Sequence, residues 1–143
     1  MGRYRPSVLA VLAVLSATAL LTSRAWAAPE LASGPIVERS GDALTATGTL
    51  AGLDKRPVSI HLTATIPCSR RAGGGEMVAL VRGTTAELLP QQSRLTFAVT
   101  TEPLSAACGH DQLSLIRFSS VTLLVLDART GALLLTHPVA DLP

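Results

Sequence analysis

Apolar and polar residues alternate through "PVSIHLTATI", residues 57–66. Val58, Ile60, Leu62, Ala64 and Ile66 share one face, and Ser59, His61, Thr63 and Thr65 share the other. A period of two over nine residues predicts a strand with one buried and one solvated side. "LTATGTLAGL" repeats the pattern upstream, with Leu44, Ala46, Gly48 and Leu50 opposed to Thr45, Thr47 and Thr49. Asp54-Lys55-Arg56-Pro57 supplies the turn between the two strands. In "RLTFAVT", Leu95, Phe97 and Val99 point inward. "VTLLVLDARTGALLLTHPV" predicts a hairpin whose loop, Ala128-Arg129-Thr130-Gly131, puts glycine where a type I turn ends in a left-handed residue. Residues 77–89 read as one long strand with a bulge at Gly83, and Pro90-Gln91-Gln92-Ser93 turns it back into 94–101. No stretch after Gly41 has a capped apolar stripe of helical period. Residues 41–143 therefore predict an all-β domain, a sandwich of two antiparallel sheets with about seven strands. Residues 28–40, with two prolines and little periodicity, read as a flexible lead-in.

The N-terminus has a different pattern. Arg3 and Arg5 precede the apolar run "SVLAVLAVLSATALL" from Ser7 to Leu21, and "AWA" follows before Ala28-Pro29. A charged start, an apolar middle and a small-x-small exit is the order of an export signal. The run of 15 residues is shorter than the roughly 20 that a membrane-spanning helix needs. Residues 1–27 are thus expected to form a signal helix that is cleaved between Ala27 and Ala28, the alternative being a retained anchor. No cysteine lies near the exit to take a lipid, and no Arg-Arg pair precedes the run.

Cleavage changes the electrostatic picture. The intact chain of 143 residues has formal charge +2, but three of its twelve basic residues leave with the signal. Nine then stand against ten acidic residues, a net charge of −1 over 116 residues. A near-neutral surface with one lysine, Lys55, argues against nucleic-acid or anionic-membrane binding. Trp26 and Tyr4 leave as well, so Phe97 and Phe118 are the only aromatic residues of the mature chain. Base stacking and aromatic interface anchors then lack their usual residues. The absence of asparagine and the preference for arginine over lysine point to a high-GC bacterial genome.

Two cysteines remain, Cys68 and Cys108, and in an exported protein their default state is a disulfide. The sulfurs can meet only at one end of the sandwich, because bridged Cα atoms lie about 4.4–6.8 Å apart. An even number of strand traverses must therefore separate them. One strand over 77–89 and its return over 94–101 satisfy this, and the bond then clamps a 77–101 hairpin at its open end.

The order of "LTATGTLAGL", "PVSIHLTATI", a cysteine with a Gly-rich loop, "SRLTFAVTTEP", a second cysteine and "RFSSVTLLVLDARTGALLL" resembles a family of small secreted actinobacterial proteins. The resemblance spans about residues 41–138 and implies a single immunoglobulin-like or fibronectin-like β-sandwich. This chain departs from that family in having "GHDQL" rather than an aromatic after the second cysteine, and in having no asparagine in the Gly-rich loop. The resemblance implies a structural role for Cys68 and Cys108 and carries no catalytic residue.

Candidate chemistry is sparse. "CSRRAGGGE" lacks the Lys-Ser/Thr of a phosphate loop and the alternating carboxylates of a calcium loop. It reads as a connection, with an anion or partner contact through Arg70, Arg71, Gly73 and Gly75 as the alternative. His61 stands on a Thr-rich wet face, where a solvated histidine is the ordinary explanation. His110 and Asp111 are neighbours in a loop beside Cys108, and His137 is near the C-terminus. Three histidines so far apart make no recognisable metal set, no cofactor motif occurs, and no nucleophile elbow is present. The threonine faces, Thr45, Thr47, Thr49, Thr63 and Thr65, read as a solvated β surface or as a recognition ladder. The expected function is that of a non-catalytic secreted or cell-envelope module contacting an extracellular or cell-wall protein. The alternative is a small secreted hydrolase or ligand-binding protein with a site near His110 and Asp111.

Overall fold

A computed structural model describes residues 28–69, 75–109, 112, 113, 118 and 120–139. Residues 1–27, the expected export signal, lie outside them, as do Arg70, Arg71, Gly73, His110 and Asp111.

Two antiparallel sheets face each other across one apolar core. The first has the order β1-β2-β5, from β1 (Glu30–Ser40), β2 (Ala43–Ala51) and β5 (Leu95–Thr100). The second has the order β4-β3-β7-β8, from β3 (Val58–Ser69), β4 (Glu76–Thr84), β7 (Ser120–Asp127) and β8 (Leu133–Val139). A two-residue strand, β6 (Gln112–Leu113), extends the second sheet beside the end of β3. This is an immunoglobulin-like sandwich in which the strand after the third stays beside it.

The alternation in the sequence is the alternation of burial. Leu44, Ala46 and Leu50 of β2 and Leu95, Phe97 and Val99 of β5 face Val58, Ile60, Leu62, Ala64 and Ile66 of β3 and Val121, Leu123 and Val125 of β7. Phe118 is partly buried against this cluster. The β7–β8 hairpin is as the sequence predicts, with Gly131 at φ +72° and its N–H donating to the Asp127 carbonyl at 2.8 Å.

Two expectations need correction. Residues 30–40 are not a lead-in but strand β1, paired with β2 from Glu30↔Ala51 to Ser40↔Ala43. Two register shifts and the Gly34–Pro35 step interrupt its periodicity, and Val37 alone in it is buried. Secondly, residues 77–89 are not one strand, and 77–101 is not a hairpin. β4 ends at Thr84 in the second sheet, the chain crosses over through 85–94, and β5 joins the first sheet beside β2. Gly83 is no bulge, since the β3–β4 register is continuous from His61↔Thr84 to Ser69↔Glu76. Its missing side chain instead admits the Thr100 main chain of the opposite sheet. One helical turn without a side-chain cap, α1 (Leu104–Ala107), follows β5 and buries Leu104.

Candidate functional site

Cys68 and Cys108 are bonded, with Cα atoms 5.6 Å apart and both side chains buried. Two traverses, β4 and β5, do separate them, but these strands lie in different sheets. The bond therefore closes an arch between the sheets rather than a hairpin. The closed loop spans 40 positions, for which loop-closure entropy gives roughly 4 kcal/mol of stabilisation.

Near the same end, Asp42, in the turn between β1 and β2, holds α1. Its carboxylate accepts the Ser105 N–H at 3.0 Å and the Ser105 hydroxyl, and its carbonyl accepts the Leu104 N–H at 2.8 Å. The Ser105 hydroxyl and then its N–H hold the Asp42 carboxyl below the usual carboxylate range. Asp127 does similar work in the β7–β8 turn, accepting the N–H groups of Arg129 and Thr130 at 2.8 and 3.0 Å. The Thr130 bond, followed by the Arg129 bond, lowers its pKa as well. Both carboxylates are structural caps.

The densest polar grouping lies on the outer face of the second sheet. His61, the fourth residue of β3, is half-buried rather than simply solvated. Ser59 Oγ lies 3.2 Å from its Nε2, and Thr84 Oγ1 lies 3.2 Å from its Nδ1. A neutral imidazole donates from one nitrogen and accepts at the other, and each hydroxyl can take the complementary role. Beside them, the Thr65 and Ser120 hydroxyls bond at 2.8 Å, and the Thr63 hydroxyl donates to the Thr122 carbonyl at 3.4 Å. On the first sheet Thr45 pairs with Thr100 at 3.0 Å and Thr49 with Thr96 at 3.4 Å. Thr45, Thr49 and Thr65 are thus tied into cross-strand hydroxyl pairs. Flanking the His61 group, Val78 and Leu80 of β4 are exposed on the same outer face.

A separate depression of about 550 Å³ lies at the opposite end of the sandwich from the disulfide, lined by Asp54, Lys55, Pro90, Gln92 and Ser93. Asp54, Gln92 and Ser93 are the non-glycine residues with positive φ among the described ones, and Ser93 O accepts the Leu53 N–H at 3.2 Å. Those backbone turns bring the 85–94 crossover against the β2–β3 turn.

The candidates named from sequence do not converge. His61 is on the outer face of β3, and His137 is on β8 opposite Leu123. Gly75 opens β4. Among the described residues no group of three or more His, Cys, Asp or Glu could hold a metal ion. Sequence reading missed the Ser59–His61–Thr84 grouping. The shared face of Ser59 and His61 is visible in the alternation, but Thr84 arrives only through the β3–β4 register. No family model, curated protein or solved structure matches the chain.

Proposed function

We propose that the mature protein is a non-catalytic extracellular or cell-envelope module that acts by presenting its sheet surface to a cell-wall or secreted protein partner. The observation that carries this reading is the buried Cys68–Cys108 bond within a filled two-sheet core. Such bonds persist in oxidising compartments, which agrees with the export signal read at residues 1–27 and with the resemblance to small secreted actinobacterial sandwiches. The outer face of the second sheet presents Ser59, His61, Thr63, Thr65, Thr84 and Ser120 side by side. The test is affinity capture from cell-wall and culture fractions with the exported protein as bait. A partner that is lost on Thr63→Lys or His61→Glu supports the reading; capture indifferent to both variants opposes it.

A small secreted hydrolase is the second reading, and one observation favours it: Ser59 Oγ stands at hydrogen-bond distance from His61 Nε2. Thr84 occupies the place where a carboxylate would stabilise an imidazolium. Turnover of ester or peptide substrates abolished by Ser59→Ala and His61→Ala would establish this reading.

A further inference from the structure

The four sheet edges of the sandwich are not equivalent. β1 is broken by two register shifts and by Pro35. β8 carries Pro138 and a register shift against β7. The outward side chains of β5 are Thr96, Ala98 and Thr100, the two threonines bonded to β2. β4 is the exception. It is regular over nine residues, and its outward side chains run Glu76, Val78, Leu80, Arg82, Thr84. Val78 is 63% exposed and Leu80 48% exposed.

Its backbone is equally available over part of that length. Arg82 turns away from β3: its N–H donates to Glu102 Oε1 at 3.3 Å, and its carbonyl accepts the Glu102 N–H at 2.9 Å. Residues of an antiparallel strand alternate in the side to which they offer N–H and C=O. Glu76, Val78 and Leu80 thus face the same free edge as Arg82. Among the described residues, Val78 and Leu80 have no partner on that side. Glu102 stops the edge at Arg82 and leaves 76–80 open. An open edge with apolar outward side chains is a template for pairing.

We infer that this edge pairs with the same edge of a second copy of the chain, β4 against β4 in antiparallel register about a two-fold axis at Val78. The order of charges selects this occupant. Reversing a copy of Glu76-Val78-Leu80-Arg82 sets Val78 opposite Val78, Glu76 opposite Leu80, and Glu76 diagonal to Arg82 of the other copy. Diagonal neighbours are about 7–8 Å apart, within reach of both side chains. Acid therefore meets base twice in each dimer, around an apolar centre. In this register the paired segment is 76–80, which ends short of Arg82 and Glu102. The contact is isologous, and the second sheets of the two copies become one continuous sheet. It goes beyond the module reading above and does not depend on it.

Light scattering and sedimentation of the exported protein test the inference. An edge contact of this size is at the small end of specific interfaces, so mass should rise from one chain to two between roughly 10 µM and 1 mM. Val78→Lys should weaken dimerisation about tenfold or more, as charge on an edge strand does. Val78→Pro removes an N–H that β3 does not use and should do the same; circular dichroism identifies whichever variant keeps the fold. Glu76→Arg should weaken the dimer several-fold, and the swap Glu76→Arg with Arg82→Glu should restore it. A monomer at every concentration, or a dimer unmoved by a folded Val78 variant and by the charge changes, overturns the inference. Neither result bears on partner capture from the cell wall.

Discussion

Gly83 of β4 and Thr100 of β5 lie in different sheets yet touch. A β-carbon built on Gly83 would stand 2.6 Å from the Thr100 carbonyl carbon and 2.8 Å from Thr101 Cα. The neighbours are backbone and cannot swing aside. The contact lies where Glu102 docks on Arg82 and fixes how closely the two sheets meet at that corner.

Gly83→Ala should therefore destabilise the protein by about 3 kcal/mol, the upper part of the range for overpacking. A lowered urea midpoint with unchanged slope is the expected result. A variant within about 0.5 kcal/mol of the parent, the range of ordinary surface substitutions, would show that the corner opens freely.

Replacing Cys68 and Cys108 together by alanine should leave the β-rich fold, since Leu62, Ile66, Leu95, Phe97 and Leu123 still fill the core. The cost should be about 2–5 kcal/mol. Thiol titration of denatured, unreduced protein should find no free thiol, and two per chain would refute the bridge.

Acid should loosen the end of the sandwich that Asp42 organises. The Ser105 hydrogen bonds hold its folded pKa below the ordinary aspartate value, so its contribution is fully present above about pH 4 and is lost as pH falls through the lower folded value. Asp127 acts in the same direction. Urea midpoints measured from pH 5 down to pH 2 should fall, and Asp42→Asn should flatten part of that fall. An identical acid limb in the variant would remove Asp42 from the explanation.

N-terminal sequencing of the exported protein should begin at Ala28. Intact Met1 recovered in the membrane fraction would replace cleavage with a retained anchor.

Strands β2, β3, β5 and β7 were legible because each buries one face, so the alternation in the sequence survives in the burial of Leu44, Ile60, Phe97 and Leu123, whereas β8, which has no buried residue, was legible from the turn that ends at Gly131. β1 was not legible. It buries Val37 alone and shifts register on either side of Ser33, leaving no sustained period to read. The partition of β4 and β5 between sheets was hidden for another reason. Val78 and Leu80 outward with Ala79 and Val81 inward reads the same whichever strand lies alongside; periodicity names a face and not a neighbour. The same limit hid the His61 grouping, which needs the pairing of His61 with Thr84. The cysteine pair was legible, since a chain with two cysteines offers one possible bridge, and the even traverse count holds for an arch as well as for a hairpin.

The arch has a mechanical meaning. A pull on the two ends of the sandwich travels through β1, β2 and β3 to Cys68, passes through the sulfur bond to Cys108, and leaves through β7 and β8. β4, β5 and α1 lie off that path and bear no direct load. With about 3.4 Å per extended residue, the 40 positions inside the loop withhold roughly 130 Å of extension, because the bridge itself spans 5.6 Å between Cα atoms. A stretched molecule would therefore yield in two lengths, the second available only after reduction. Tension could strip β2 from β5 while the sulfur-closed segment remains intact and ready to guide recoil.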